Sequence, residues 1–294
     1  MSAALPPTEG IDPQTTGIDG LSTGDLARLL VAGQRGALDA VAAVTGDLAR
    51  AIDAVASAFV NGGRVRALGA GTSGRLAVLD AAELPPTFGV DPERIDARIA
   101  GGDAALRQAV EGAEDDAAAG VAAVDGFDAR DVVIGLSASG GAPYVCAALR
   151  AARANGVLTI ALVNAPQSPL LAEATIGIVL ATGAEPIAGS TRMKAGTAQK
   201  IALNTISTGA MIRAGKTYRN LMVDVRASNE KLRARAERLV RSIAGDVDAS
   251  TLLAQAGGRV KPAIVMARCA CTFAEAEAKL AAVGGHLAAV IDPS

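Results

Sequence analysis

The stretch Arg64-Val-Arg-Ala-Leu-Gly-Ala-Gly-Thr-Ser-Gly-Arg-Leu-Ala-Val-Leu-Asp-Ala-Ala-Glu-Leu-Pro-Pro-Thr-Phe-Gly89 decides the fold. Val65 to Leu68 reads as a short strand flanked by basic residues. The chain then turns through Gly69-Ala-Gly-Thr-Ser-Gly74 into an amphipathic helix with Leu76, Leu79 and Ala82 along one face. Pro85 and Pro86 are expected to stop that helix, since neither ring fits a helix interior. A strand that feeds a helix through glycines and hydroxyls aims free N–H groups and the positive helix end at one point, which favours a phosphate. The glycines also spell the dinucleotide fingerprint, but that needs an acidic residue about 20 positions on, at the end of the next strand. Here the next strand-like run, Ile95–Ala100, ends in Gly101-Gly102 with no carboxylate. Thr72 and Ser73 put two hydroxyls into the turn, which suits a terminal phosphomonoester better than a pyrophosphate. The reading is a sugar phosphate and not NAD.

The same unit recurs downstream. Asp131-Val-Val-Ile-Gly-Leu136 is a third strand that runs into Ser137-Ala-Ser-Gly-Gly141 and a helix from Pro143 to Ala154, with proline where the first turn tolerates a missing N–H. Gly156–Val163 and Thr175–Leu180 are short, continuously apolar runs, as expected of buried parallel strands. Between strands two and three, Gly101-Gly102-Asp103 is expected to open a helix reaching Asp116, continued by alanine-rich helix to Val124. Upstream, residues 1–20 read as an extended arm, and Leu26 to Phe59 as helix interrupted near Gly33, Gly36 and Gly46. Downstream, a polar loop from Thr182 opens a long helix through Ile212. Residues 216–241 read as helical and basic on one face, and the chain from about Asp246 as short helical pieces separated by Gly257-Gly258, Pro262 and Gly284-Gly285. The expected organisation is an arm and helical lead-in over 1–59, a sugar-phosphate domain over 60–241 and a small helical module over 242–294.

Composition narrows the function. Half of the 294 residues are hydrophobic while only 2% are aromatic, so the core is aliphatic and suits an α/β layered fold. A formal net charge of −2 argues against a nucleic-acid binder. Cys146, Cys269 and Cys271 are too few and wrongly spaced for a disulfide framework or a zinc site, and His286, the only histidine, excludes histidine metal clusters. It reads as a surface or helix-packing residue. No apolar run approaches the ~18 residues of a membrane helix and the start lacks a signal-peptide pattern, so the expectation is a soluble, cytoplasmic protein with no membrane partner.

Three blocks resemble the N-acetylmuramic acid 6-phosphate etherases, built on the sugar isomerase (SIS) fold. They are Gly69–Leu76 with Asp80–Gly89, Ala109–Asp116 and Gly189–Lys200; Thr8-Glu9 and Leu21-Ser-Thr23 are also similar, so the likeness covers nearly the whole chain. The family loop usually reads Gly-Pro-Glu-Val/Ile before its Gly-Ser-Thr-Arg, whereas this chain has Gly183-Ala-Glu-Pro186, with Ala188 where threonine is usual. The resemblance implies an α/β three-layer sandwich with a five-stranded parallel sheet plus the C-terminal helical module. It implies cleavage of the D-lactyl ether of N-acetylmuramate 6-phosphate with water, a carbon–oxygen lyase step in cell-wall sugar recycling, with no cofactor and no metal. Matching the family motif residue by residue gives Glu83 as the acid for the departing lactate and Glu114 as the base at C2. The apolar neighbours Leu84, Pro85 and Pro86 are read as favouring a protonated Glu83. Without the resemblance, Glu114 beside Glu111, Asp115 and Asp116 reads as a solvated acidic face. The phosphate is expected between the two hydroxyl turns, at Thr72, Ser73, Gly74, Ser137, Ser139 and Gly140, with Ser190, Thr191 and Lys194 as substrate contacts at another helix start. Glu83 lies ten residues beyond Ser73, roughly 15 Å along a helix, so a homodimer with the site near its interface is expected. Two other readings share the fold: a non-catalytic sugar-phosphate regulator like the glucokinase regulatory protein, expected to carry two such domains, and an aldose–ketose isomerase, against which the Pro85–Gly89 continuation speaks.

Overall fold

The computed structural model describes residues 5–225 and 230–293. The chain packs as two compact units, Met1–Ala81 with Glu93–Ser207, and Ala82–Pro92 with Thr208–Ser294. Residues 208–225 and 230–241, grouped with the sugar-phosphate domain on sequence, pack in the second unit. Among the described residues no helix is long and apolar enough to cross a membrane.

In the first unit, three helices lead in: α1 (Thr23–Gly33), α2 (Arg35–Ala42) and α3 (Thr45–Val60). The breaks fall at Gln34 and at Ala43-Val44, so only the first lies beside the glycines expected to cause it. Five strands follow, β1 (Val65–Gly69), β2 (Ile95–Ile99), β3 (Val132–Ser137), β4 (Leu158–Val163) and β5 (Ile176–Val179), all parallel in the order β2-β1-β3-β4-β5. Every residue of β3 is buried, as a strand covered on both faces requires. One face is covered by α7 (Pro143–Ala154), whose Val145, Ala148, Leu149 and Ala152 close on Leu68, Val133, Ala161 and Val163. A fully buried leucine such as Leu149 contributes about 1.5–3 kcal/mol relative to exposure. Helix α3 packs against β1, β3 and β5. The basic residues flanking β1 are structural. Arg64 donates to Asp131, Arg66 clasps Asp96 at 2.7 Å through two nitrogens, and both guanidiniums stack on Phe127.

Two expectations for the elements around the sheet do not hold. The prolines do not stop α4, which runs from Gly71 to Phe88 with Pro85 and Pro86 in its last turn. Their missing N–H groups cost two bonds there, while Leu84 and Phe88 are buried and anchor the turn. The helix expected from Gly101 to Val124 is instead broken into α5 (Ala104–Arg107), a single 3-10 turn at Ala113–Asp115, and α6 (Ala117–Ala122). Gln108 turns extended and ends α5, Gly112 at φ 72° opens the 3-10 turn, and the Asp116 carboxylate restarts the helix by accepting from the Ala119 N–H at 2.9 Å. The arm is not simply extended either. It makes 3-10 turns at Pro7–Glu9, Pro13–Thr15 and Ile18–Gly20, and Thr8 is fully buried; its residues 1–4 lie outside the described residues.

The first unit closes with α8 (Lys194–Arg213), which continues into the second. There the expected helix over 216–241 gives way to an antiparallel hairpin, β6 (Thr217–Tyr218) and β7 (Leu221–Met222), followed by α9 (Glu230–Ala244); residues 226–229 of that expectation lie outside the described residues. Helices α10 (Ala249–Gln255), α11 (Val260–Cys269), α12 (Phe273–Ala282) and α13 (Leu287–Ile291) complete the unit. Pro262 is no separator, since it sits buried in the first turn of α11. The core of this unit gathers Val240, Ile264, Val265 and Leu287. Lys261 is buried there, its ammonium donating to the carbonyls of Gly215 and Gly285 at 2.9 Å and pairing with Asp224 at 3.0 Å. Burial pushes its pKa down against the pull of Asp224.

Candidate active site

The strand order reverses direction between β1 and β3, the switch point at which open parallel sheets bind ligands beyond their carboxyl ends. A cavity of about 300 Å³ opens there, lined by Ala70, Gly71, Thr72 and Ser73 after β1, by Leu136, Ser137, Ala138, Ser139 and Ala142 after β3, and by Glu9, Glu114 and Thr191. Six of the expected site residues therefore meet: Thr72, Ser73, Ser137, Ser139, Glu114 and Thr191. Gly74, Gly140, Ser190, Lys194 and Glu83 do not line it.

The hydroxyls play unequal parts. Ser137 Oγ accepts the Gly140 N–H at 3.0 Å and Ser139 Oγ accepts the Gly141 N–H at 3.2 Å. Each uses a lone pair to shape the turn and keeps its O–H proton for the cavity. Gly140, expected to give its N–H to a phosphate, has spent it on Ser137. Its role is the bend, at φ 68° and so close to Ser168 that a Cβ there would stand 2.1 Å from the Ser168 Cβ. Ser73 is buried and donates to Gln199 Oε1 at 2.7 Å, while Gln199 Nε2 donates to Asn164 Oδ1 at 3.0 Å and Asn164 Nδ2 to the Leu180 carbonyl at 3.0 Å. This buried chain ties the turn after β1 to α8 and to the ends of β4 and β5. Gly74 gives its N–H to the Ala70 carbonyl at 3.2 Å, and a Cβ on it would lie 2.5 Å from the Gly69 oxygen, so it serves close packing of α4 on β1. The first-turn N–H groups of α4, those of Thr72 and Ser73, have no acceptor within the helix and can meet an oxyanion.

The other helix start is already filled. Glu185 is fully buried, and its two carboxylate oxygens each accept at 2.9 Å, from the Lys194 and Ala195 N–H groups. The protein's own carboxylate thus satisfies the positive end of α8, which leaves it no free end for a ligand. The Lys194 chain lies along Gly36 of α2, and Ser190 closes a turn by donating its N–H to Ile187. Of this segment only Thr191 reaches the cavity.

The two expected catalytic carboxylates are differently placed. Glu114 is exposed on the 3-10 turn at Ala113–Asp115 and lines the cavity. Glu83 is exposed on α4, so the apolar setting read from its neighbours in the sequence is absent around it: Leu84 turns inward and Glu83 outward. Sequence reasoning missed Glu9, Glu185, Asn164 and Gln199. Glu9 had a signal, the resemblance of Thr8-Glu9 to the family, but the arm's composition spoke for a segment away from any site.

A parallel five-stranded sheet in this order is a doubly wound α/β architecture, and hydroxyl turns after its first and third strands are consistent with a protein of the sugar isomerase (SIS) class. Family comparison agrees: the glucokinase regulatory protein N-terminal SIS domain matches residues 47–153 and the SIS domain matches residues 110–208. An N-acetylmuramic acid 6-phosphate etherase of Deinococcus radiodurans is 50% identical over 288 residues, covering 97% of this chain and 94% of its own, and one of Salmonella agona is 48% identical over 290 residues, covering 97% of each. Solved structures are more distant; a phosphoheptose isomerase of Francisella tularensis is 23% identical, covers 66% of this chain and 98% of its own, and aligns with a TM-score of 0.47. The chain belongs to the N-acetylmuramic acid 6-phosphate etherase family.

Proposed function

We propose that the protein cleaves the D-lactyl ether of N-acetylmuramate 6-phosphate with water, giving N-acetylglucosamine 6-phosphate and D-lactate. The observation that carries this is identity of 48–50% to etherases over 97% of the chain. The cavity suits such a substrate. Ser137 and Ser139, whose hydroxyls retain a proton to donate, line the same cavity as the N-terminal turn of α4, which supports a phosphate bound there.

Ring opening exposes C1 as an aldehyde and acidifies the proton on C2. Glu114, one of the two carboxylates lining the cavity, takes that proton, the electron pair forms the C2–C3 double bond, and the C3–O bond breaks as an acid protonates the departing lactate. Water then adds at C3 while the acid takes its proton, and Glu114 returns the first proton to C2. One carboxyl must be ionised while the other is protonated. We assign the acid to Glu83. Because α4 is unbroken from Gly71 to Phe88, Glu83 lies roughly 15 Å along the axis from Ser73, further than a hexose phosphate bridges. The acid therefore comes from Glu83 of the partner subunit in a two-fold dimer. The test of the reaction is direct: incubation with N-acetylmuramate 6-phosphate and an enzymatic assay for D-lactate. Conversion to a ketose phosphate without lactate would establish the isomerase reading instead.

A further inference from the structure

The cavity holds a second carboxylate that the two-glutamate scheme does not use. We propose that Glu9, carried in from the N-terminal arm, is a specificity-determining residue that accepts hydrogen bonds from the hydroxyl and amide N–H groups of the sugar, away from its phosphate. The inference rests on the etherase reading for the identity of the sugar.

Glu9 is held in place by its neighbours. Thr8 is completely buried, its carbonyl accepts the Gly189 N–H at 3.2 Å, and the Glu9 N–H closes the 3-10 turn on the Pro6 carbonyl at 2.9 Å. The carboxylate lies against Gly189, where a Cβ would stand 2.7 Å from Oε2. Backbone bonds and the buried Thr8 side chain therefore hold the backbone of Glu9 beside Gly189, and Glu9 lines the cavity with Ser137, Ser139 and Glu114.

Charge decides what it meets. Among the described residues that line the cavity, Glu9 and Glu114 are the only charged side chains, so no lysine or arginine of the cavity is there for Glu9 to neutralise. A carboxylate beside a phosphate dianion is repelled, whereas the hydroxyl turns at the strand ends favour that dianion. The phosphate thus takes the end of the cavity with Ser137 and Ser139, and Glu9 is left with groups that donate. On a 6-phosphorylated amino sugar those are the hydroxyls and the amide N–H, and an ionised carboxylate can only accept from them. Glu9 then discriminates between a phosphate carrying a sugar and a phosphate alone.

The two ligands should respond oppositely, which a structural role cannot imitate. Glu9→Ala and the near-isosteric Glu9→Gln are titrated calorimetrically with N-acetylglucosamine 6-phosphate and, separately, with inorganic phosphate. Glu9→Ala is expected to weaken the sugar phosphate roughly 10- to 100-fold, the range for a lost hydrogen bond to a charged group, and to leave inorganic phosphate as tight as before or tighter. Glu9→Gln, which keeps one acceptor oxygen, falls between, and KM rises more than kcat falls. Unchanged affinity for the sugar phosphate in both variants overturns the proposal, and so does parallel weakening of both ligands, the mark of a displaced arm. Absence of lactate from the unaltered protein would count against the etherase reading alone, because the affinity contrast needs no turnover.

Discussion

Gly140→Ala perturbs the site through a single methyl group. The turn after β3 works because Gly140 takes φ 68°, which lets its N–H reach Ser137 Oγ and its Cα pass close to Ser168. A Cβ built there lies 2.1 Å from Ser168 Cβ, 2.4 Å from Ser168 Oγ and 3.2 Å from Val163 Cγ1. Ordinary carbon contacts need about 3.5–4.0 Å, so the turn or the Ser168 segment must retreat by more than 1 Å by this arithmetic. The left-handed φ adds roughly 1–2 kcal/mol for any residue with a Cβ. Misplacement of a substrate-positioning group by about 1 Å can cost some 100-fold in rate. The expected result is a fall of about that size in kcat/KM for lactate release, with a loss of stability of a few kcal/mol in urea unfolding. A second substitution makes the reasoning specific. Ser168 Oγ is buried without a hydrogen-bond partner, so Ser168→Gly removes the obstructing atoms and strands no partner. Gly140→Ala/Ser168→Gly should recover most of the lost rate while keeping the φ strain. Wild-type kcat/KM in Gly140→Ala, or no recovery in the double variant, would refute the account of this turn.

Three further predictions follow from the same geometry. Glu114→Gln should abolish both lactate release and exchange of the C2 proton with solvent deuterium, whereas Glu83→Gln should block ether cleavage and leave some exchange on the product sugar; equal loss of exchange in both contradicts the assigned roles. Hybrid dimers formed from inactive Glu83→Ala chains and inactive Ser73→Ala/Ser139→Ala chains should regain lactate release, up to one working site in two, and no recovery with subunit exchange confirmed by mass would return Glu83 to its own subunit. Asp80 is buried, and its burial raises its pKa above the ordinary 3.8 despite bonds from Ser207 and Asn204; a raised carboxylate pKa favours folding below the ordinary value and loses that contribution as pH rises through the folded value. Asp80→Asn should therefore flatten urea stability over the range upward from about pH 4, and an unchanged pH profile would remove Asp80 as its source.

The sheet was legible because its signals are local: short aliphatic runs, each closed by glycine and hydroxyl residues, and both turns lie where they were read. Elements whose shape depends on distant partners were not. Pro85 and Pro86 read as a stop because local chemistry forbids them, yet buried Leu84 and Phe88 carry α4 past them. The run from Gly101 to Val124 has the composition of one helix, yet Gln108 turns extended and ends it at Arg107, and a positive φ at Gly112 keeps it from resuming there. The helix start near Lys194 looked like a second anion site because a helix end advertises its free N–H groups, whereas the carboxylate that occupies it, Glu185, lies nine residues before in sequence and is visible as a cap only in three dimensions. Glu9 was hidden for the same reason: a Pro- and Gly-rich arm has no periodicity to show where its one buried threonine docks.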